Sequence, residues 1–142
     1  MSSRQARDAI INAVETAASP LDVFNLSNYV SLEDCLGEID SEAVLVQFNA
    51  ASEEMVTIGG HGNQGFEETG SVAVIYVVPT GFDSNPVVDK GDEIREELRG
   101  SRLTENVIIE TIDPFVDMPA GLYGGRLHAW ATNLFYSKHD CG

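Results

Sequence analysis

The chain has 142 residues, 43% of them hydrophobic, enough for one domain that buries roughly 70% of the surface its unfolded form exposes. Its 23 acidic residues outweigh 8 basic ones for a net charge of −15, which argues against a protein that tracks nucleic-acid grooves, since displacing counterions from phosphates needs a basic surface. No run of about eighteen apolar residues is present to cross a membrane as a helix, and the opening MSSRQARDAI lacks the apolar core of a signal peptide, so synthesis and folding in a cytoplasm are expected.

The first element is an amphipathic helix in SSRQARDAIINAVETAASP. Ala6, Ile10, Ala13, Val14 and Ala17 recur at helical spacing, Ser2 or Ser3 can cap the start, and Pro20 prevents continuation. Residues 21–41 have no sustained period and read as an extended or loop segment with a short strand or turn. Residues 42–50 form a strand in which Val44, Val46 and Phe48 alternate against Leu45 and Gln47, and EEMVTIG predicts a short second strand. After a glycine-rich stretch comes SVAVIYVVP, nearly all β-branched, which suits a central strand covered on both faces. The second helix lies in SNPVVDKGDEIREELRG: Ser84 or Asn85 caps it, Pro86 fits its first turn and Gly100 stops it. Gly91, on the face of Val87, Ile94 and Leu98, would let the helix approach the sheet closely. ENVIIETIDPFVD predicts a fourth strand, with Val107, Ile109 and Thr111 opposite Ile108 and Ile112. A long final strand follows a hinge at Gly124 and Gly125. The order α-β-β-β-α-β-β describes a single α+β domain over residues 1–142, a largely antiparallel twisted sheet of about five strands with two helices packed against it.

The most enzyme-like pattern is Gly60-x-Gly62-x-x-Gly65, with Asp83 after the next strand. A dinucleotide site requires a helix directly behind the glycines, because its N-terminus holds the pyrophosphate. Here FEETGS leads into a strand instead. A kinase-type loop needs a lysine closing the following strand motif, where Ile75 stands. No nucleophile elbow is present, and the KHDC run at 138–141 lacks a second half at metal-ligand spacing. Cys35 and Cys141 form neither a disulfide framework nor a CxxC pair. Adjacent acids such as Glu53-Glu54, Glu67-Glu68 and Glu96-Glu97 read as solvated pairs. These residues predict no catalysis, no metal and no cofactor, and the sheet segments with glycine-rich connections suggest an assembly protein.

Read together, Arg4 to Val14, the VTIGG leading to a polar loop, Gly70 directly before SVAVIYVVPTGF, the helix NPVVDKGDEIREELRG and the closing GLYGGRLHAWATNLFYS resemble the tail-terminator family of long-tailed bacteriophages and related viruses. The resemblance covers nearly the whole chain as an order of elements with few diagnostic residues. Two features depart from the family: the path through residues 21–41 is longer, and the strong acidity is not a family trait. Acid-rich composition with only Lys90 and Lys138 as lysines resembles proteins of high-salt cytoplasms, where screening removes self-repulsion.

The resemblance implies a virion protein and not an enzyme: a ring of six copies that caps the tail tube, ends its polymerisation and presents a docking surface to the head connector proteins. Its expected partners are therefore other copies of itself, the tail-tube protein and the connector, with genomic DNA passing through an acidic lumen without specific binding and no membrane involved. Candidate interface residues are Arg4 and Arg7 on the first helix, where they can meet a neighbouring subunit's acids. His61, Asn63, Gln64 and Phe66 belong to the polar Gly59–Glu68 loop, which can project toward a partner. Arg126 and Trp130 pair a basic residue with an aromatic on the final strand, an anchor-like combination, with plain core packing the alternative for Trp130. A head-tail joining or tail-completion protein is the alternative within virions, and a small-molecule-binding α+β domain or enzyme is the alternative outside them.

Overall fold

The computed structural model describes residues 3–19, 21–29, 35, 42–57, 64–79, 85–104, 106–122 and 127–141. Helix α1 (Arg4–Ala18) begins where the sequence places it: the Ser3 hydroxyl accepts from the Ala6 backbone N–H at 3.3 Å, satisfying one of the first-turn donors. Its apolar stripe of Ala6, Ile10, Val14, Ala17 and Ala18 is buried. Helix α2 (Asn85–Leu98) buries Ile94 and Leu98, and its chain turns out of the helix at Gly100, whose φ of 71° is the left-handed conformation glycine adopts without strain. Ser84, one of its two predicted caps, lies outside the described residues.

Among the described residues, six strands make one sheet: β1 (Asp22–Asn25), β2 (Ala43–Thr57), β3 (Gln64–Pro79), β4 (Val107–Ile112), β5 (Val116–Leu122) and β6 (Leu127–Cys141). The order runs β1-β2-β3-β6-β4, and β5 pairs with β6. Only β1 with β2 is parallel among the described pairs; the others are antiparallel. The α+β class, the two packed helices and the largely antiparallel sheet are as the sequence predicts. Strand β3 is central, flanked by β2 and β6, and Val72 and Val74 through Val78 are buried, which is why that segment is β-branched on both faces.

The structure revises the strand boundaries, and two β-bulges explain much of the difference. The predicted strands at 42–50 and EEMVTIG are one strand, β2. Its register passes from Phe48↔Val72 to Ala50↔Ser71, leaving Asn49 as the extra residue. The bulge reverses which parity faces the helices, so the alternation visible in the sequence breaks there although the strand does not. In β4 the register passes from Ile109↔Tyr136 to Thr111↔Phe135, skipping Glu110. Ile112 is therefore buried with Val107 and Ile109, and Thr111 is exposed, contrary to the simple alternation. The predicted strand at ENVIIETIDPFVD divides at Asp113–Phe115 into β4 and β5, both lying along the same edge of β6. Gly121 and Leu122 end β5, and the long last strand begins at Leu127, after the predicted hinge at Gly124 and Gly125, which itself lies outside the described residues. The segment after α1 holds the short β1 and a 3-10 turn at Leu26–Asn28, as expected of an aperiodic stretch.

Two apolar layers cover the sheet. Under the helices, Val44, Val46, Val72, Val74, Tyr76, Val78, Leu134 and Tyr136 pack against Ile10, Val14, Ile94 and Leu98. Each fully buried aliphatic side chain in this layer contributes about 1.5–3 kcal/mol from removal of apolar surface from water. The opposite face is covered toward one end, where Leu45, Ile75, Val77 and Ala129 meet Cys35 and the partly buried Phe24, Leu26 and Tyr29. Gly91 serves close packing as predicted, against the β4–β5 connection: a Cβ there would stand 3.2 Å from the Phe115 ring.

Candidate interaction surface

Strands β2, β3 and β6 run on past the level at which α1 begins. The Glu68 carboxylate on β3 accepts from the Ser3 backbone N–H at 3.2 Å and from the Tyr136 hydroxyl of β6 at 2.6 Å. This anchors the first turn of α1 to two neighbouring strands. Anionic acceptors are favourable there because the unpaired N–H groups of a helix start carry partial positive charge. Glu68 is 6% exposed, so it is one of the few acids taken out of water, and all of its named partners are donors.

Beyond Glu68 the sheet forms a three-stranded arm from the ends of β2 and β6 and the start of β3. Its rows follow from the register. Glu53, Glu68 and Lys138 stand side by side toward the helices, and Glu54, Glu67 and His139 stand side by side on the other face. His139 Nε2 lies 3.5 Å from the Glu67 carboxylate. Each row thus sets two carboxylates directly opposite one another, an unfavourable cross-strand pairing, with a basic side chain beside them. Phe66 stands two residues before Glu68 on the same face and is 39% exposed.

The predicted contact residues separate into distinct environments. The Arg4 side chain is 95% exposed and reaches Asp8 at 3.8 Å, a solvated pair worth only a few tenths of a kcal/mol. Arg4 directly follows Ser3, whose backbone N–H is held by Glu68, so the first turn of α1 lies over the base of the arm. Arg7 is engaged within the chain: it donates to the Ser27 hydroxyl, and its guanidinium carbon lies 5.0 Å from the centroid of the Phe48 ring. Gln64 and Phe66 belong to β3, so the predicted Gly59–Glu68 loop is in part a paired strand. His61, Asn63 and Arg126 lie outside the described residues. Trp130 is partly buried against the core beneath the helices, with its ring centroid 6.0 Å from that of His128.

Sequence reasoning missed the anchoring triad of Ser3, Glu68 and Tyr136, because adjacent acids normally mark a solvated surface. A signal was available in the phase of β3: Glu68 has the same parity as Val72, Val74, Tyr76 and Val78, the residues that face the helices.

Among the described residues, open grooves of about 370, 410 and 440 Å³ mark the surface. One lies between α1 and the chain after α2 and is lined by Ala9, Ala13, Leu98 and Leu103. The second, on the face away from the helices, has Phe135 at its wall and Gly70 among its lining residues. The third, more polar, lies between α1 and β1. Among the described residues no group of three histidine, cysteine or acidic side chains is arranged to hold a metal ion, and no helix is long and apolar enough to cross a membrane.

No protein-family model matches the chain, and no curated protein matches it. Among solved structures, one whose name carries no functional description is 18% identical, with 100% of this chain and 96% of that chain covered and a TM-score of 0.57. At that identity the likeness is one of fold.

Proposed function

We propose that this chain is a tail-terminator-like virion protein that assembles as a ring and caps a tail tube by binding, without catalysis. The observation that carries the reading is the arm. Three strands extend beyond the helix layer with Phe66 exposed near their end, and α1 is pinned at the arm's base by Glu68. A paired projection on one side of an α+β unit can reach a neighbouring copy or the tube, while the helix layer remains a separate surface. Two different surfaces meeting head to tail close into a ring when the rotation between copies divides a full turn. The acidity fits the same role, because a negative lumen repels phosphate and lets DNA pass without adhesion.

The test is native mass measurement of the purified chain over a range of salt concentration, followed by electron microscopy with isolated tail tubes. A closed ring seated at tube ends is the expected outcome, with assembly favoured by higher salt as the net charge of −15 is screened. A chain that remains monomeric up to molar salt and leaves tube ends bare would overturn the proposal. A ligand-dependent rise in melting temperature with a small-molecule collection would favour a binding domain of another class instead.

A further inference from the structure

The sheet closes its edges unequally. Outside β4 the chain from Ser101 to Thr104 lies along the strand: the Leu103 N–H donates to the Val107 carbonyl at 2.8 Å, and the Ile109 N–H to the Ser101 carbonyl at 2.8 Å. Strand β5 carries Pro119, which has no N–H to offer, and Asp117, features that blunt an edge. The outer edge of β2 is different. β1 accompanies it only from Ala43 to Val46, while β2 runs on to Thr57. From Ala50, past the bulge, to Thr57 the strand holds no proline, and among the described residues no strand pairs with its outer edge. These eight residues span about 27 Å, enough to template an added strand.

The side chains along this edge define what fits it. From the edge inward, the cross-strand rows read Glu53–Glu68–Lys138 on the helix side and Glu54–Glu67–His139 on the other. Each row begins with two acids opposite one another and keeps its base on the far side. Glu53 and Glu54 are exposed, and neither has an ion-pair partner among the described residues. A cation on the next strand out would give each row a base on both sides. Because the two acids are consecutive and point to opposite faces, the added strand needs two consecutive basic residues. This chain does not supply them: its lysines and arginines never stand next to one another, and Lys138 with His139 already occupies the inner ends of the same rows. Two copies joined β2 to β2 about this pair would set four carboxylates together.

We propose that the arm takes up an extended, basic segment of a different protein as an added strand along Ala50–Thr57, with adjacent lysine or arginine residues opposite Glu53 and Glu54. Backbone hydrogen bonds to the open edge hold the segment, and the two acids select its charge and register. The same acids reject a second copy of this chain, which keeps arms from joining edge to edge. The inference rests on the reading of the arm as a binding projection and names what it binds; ring closure is left to other surfaces.

The experiment presents the full chain, at one fixed salt concentration, with the labelled peptides TVTVKKVTVT, KTVTVVTVTK and TVTVEEVTVT. Fluorescence anisotropy gives the affinity, and hydrogen exchange locates the bound peptide. The adjacent-lysine peptide is expected to bind about fivefold more tightly than the peptide with the same lysines at its ends, and roughly tenfold or more above the acidic one. It should slow amide exchange within Ala50–Thr57. In the Glu53→Lys, Glu54→Lys variant the preference should turn to the acidic peptide; both positions are exposed, so the fold should survive, which circular dichroism checks. No binding, or equal binding of the two lysine peptides as general attraction to a net charge of −15 would give, refutes the proposal. Protection elsewhere, or an unchanged preference in the folded variant, refutes it equally. Native mass measurement of the chain without peptide keeps the two readings apart. A ring that binds no peptide leaves the ring reading standing, and a monomer that binds the adjacent-lysine peptide leaves this one.

Discussion

The Tyr136 hydroxyl on β6 donates to the Glu68 carboxylate on β3 at 2.6 Å, and that carboxylate also receives the backbone N–H of Ser3 at the start of α1. One buried acid therefore fixes the position of a helix relative to two strands. Hydrogen bonds to a charged acceptor typically contribute about 1.5–3 kcal/mol each, and removal of the acceptor leaves buried donors without partners. Glu68→Ala should therefore lower unfolding free energy by about 2–4 kcal/mol. Tyr136→Phe should cost about 1–2 kcal/mol. Urea denaturation of both single variants and the double variant would show a loss smaller than the sum, since the pair shares one bond.

Tyr76 forms the second buried phenol–carboxylate pair, donating to Glu42 at 2.9 Å. Burial first, and the Glu42 hydrogen bond and charge second, push its ionisation well above the ordinary tyrosine range. A group whose folded pKa is raised contributes stability that is complete below the unfolded pKa. Loss begins as pH rises past about 10, where the unfolded phenol ionises and the buried one does not, and it amounts to as much as about 1.4 kcal/mol per pH unit. Denaturation midpoints measured between pH 8 and 11 should fall more steeply for wild type than for Tyr76→Phe.

Gly91 faces the Phe115 ring where an added Cβ would sit 3.2 Å away. Gly91→Val would force the ring or the helix to move and should destabilise by about 1–3 kcal/mol. In a Phe115→Ala background the crowding is absent, so Gly91→Ala should instead stabilise, through helix propensity, by about 0.5–1 kcal/mol. Thermal unfolding of these variants would reveal the change of sign.

Gly100 has a φ of 71°, with no atom within 4 Å of the position an added Cβ would take. Gly100→Ala should therefore cost about 1 kcal/mol from backbone strain alone. Gly100→Asn should recover part of that loss, because asparagine tolerates the left-handed region better. Chemical denaturation of the two variants distinguishes strain from crowding.

Local rules were sufficient for the helices and for the central strand. The stripe from Ala6 to Ala17 and the Ser3 cap are consequences of residue spacing over a single turn. The glycine pattern at 60–65 could be separated from a nucleotide loop because the missing helix is itself a local feature. Strand boundaries failed at Asn49 and Glu110, since a bulge is defined only by the partner strand opposite it. The candidate surface was less legible still. Arg4 and Phe66 were each singled out, but nothing within either segment shows that the start of α1 meets β3; the Ser3–Glu68 contact, between residues 65 apart, decides that. Trp130, singled out as an anchor with core packing as the alternative, is partly buried against the layer beneath the helices.

The sequence by itself determined the α+β class, the amphipathic face of each helix, the central place of the Ser71–Pro79 segment and an acidic surface. Those properties depend on residue type and short-range periodicity, which any chain carries before it folds. Only the tertiary structure decided that β2 and β3 continue into an arm, that Glu68 is an internal cap, and that Arg7 is occupied within the chain while Arg4 is exposed. Pairing register, burial of a particular carboxylate and the exposure of one arginine depend on segments distant in sequence, and their energies exist only once those segments meet.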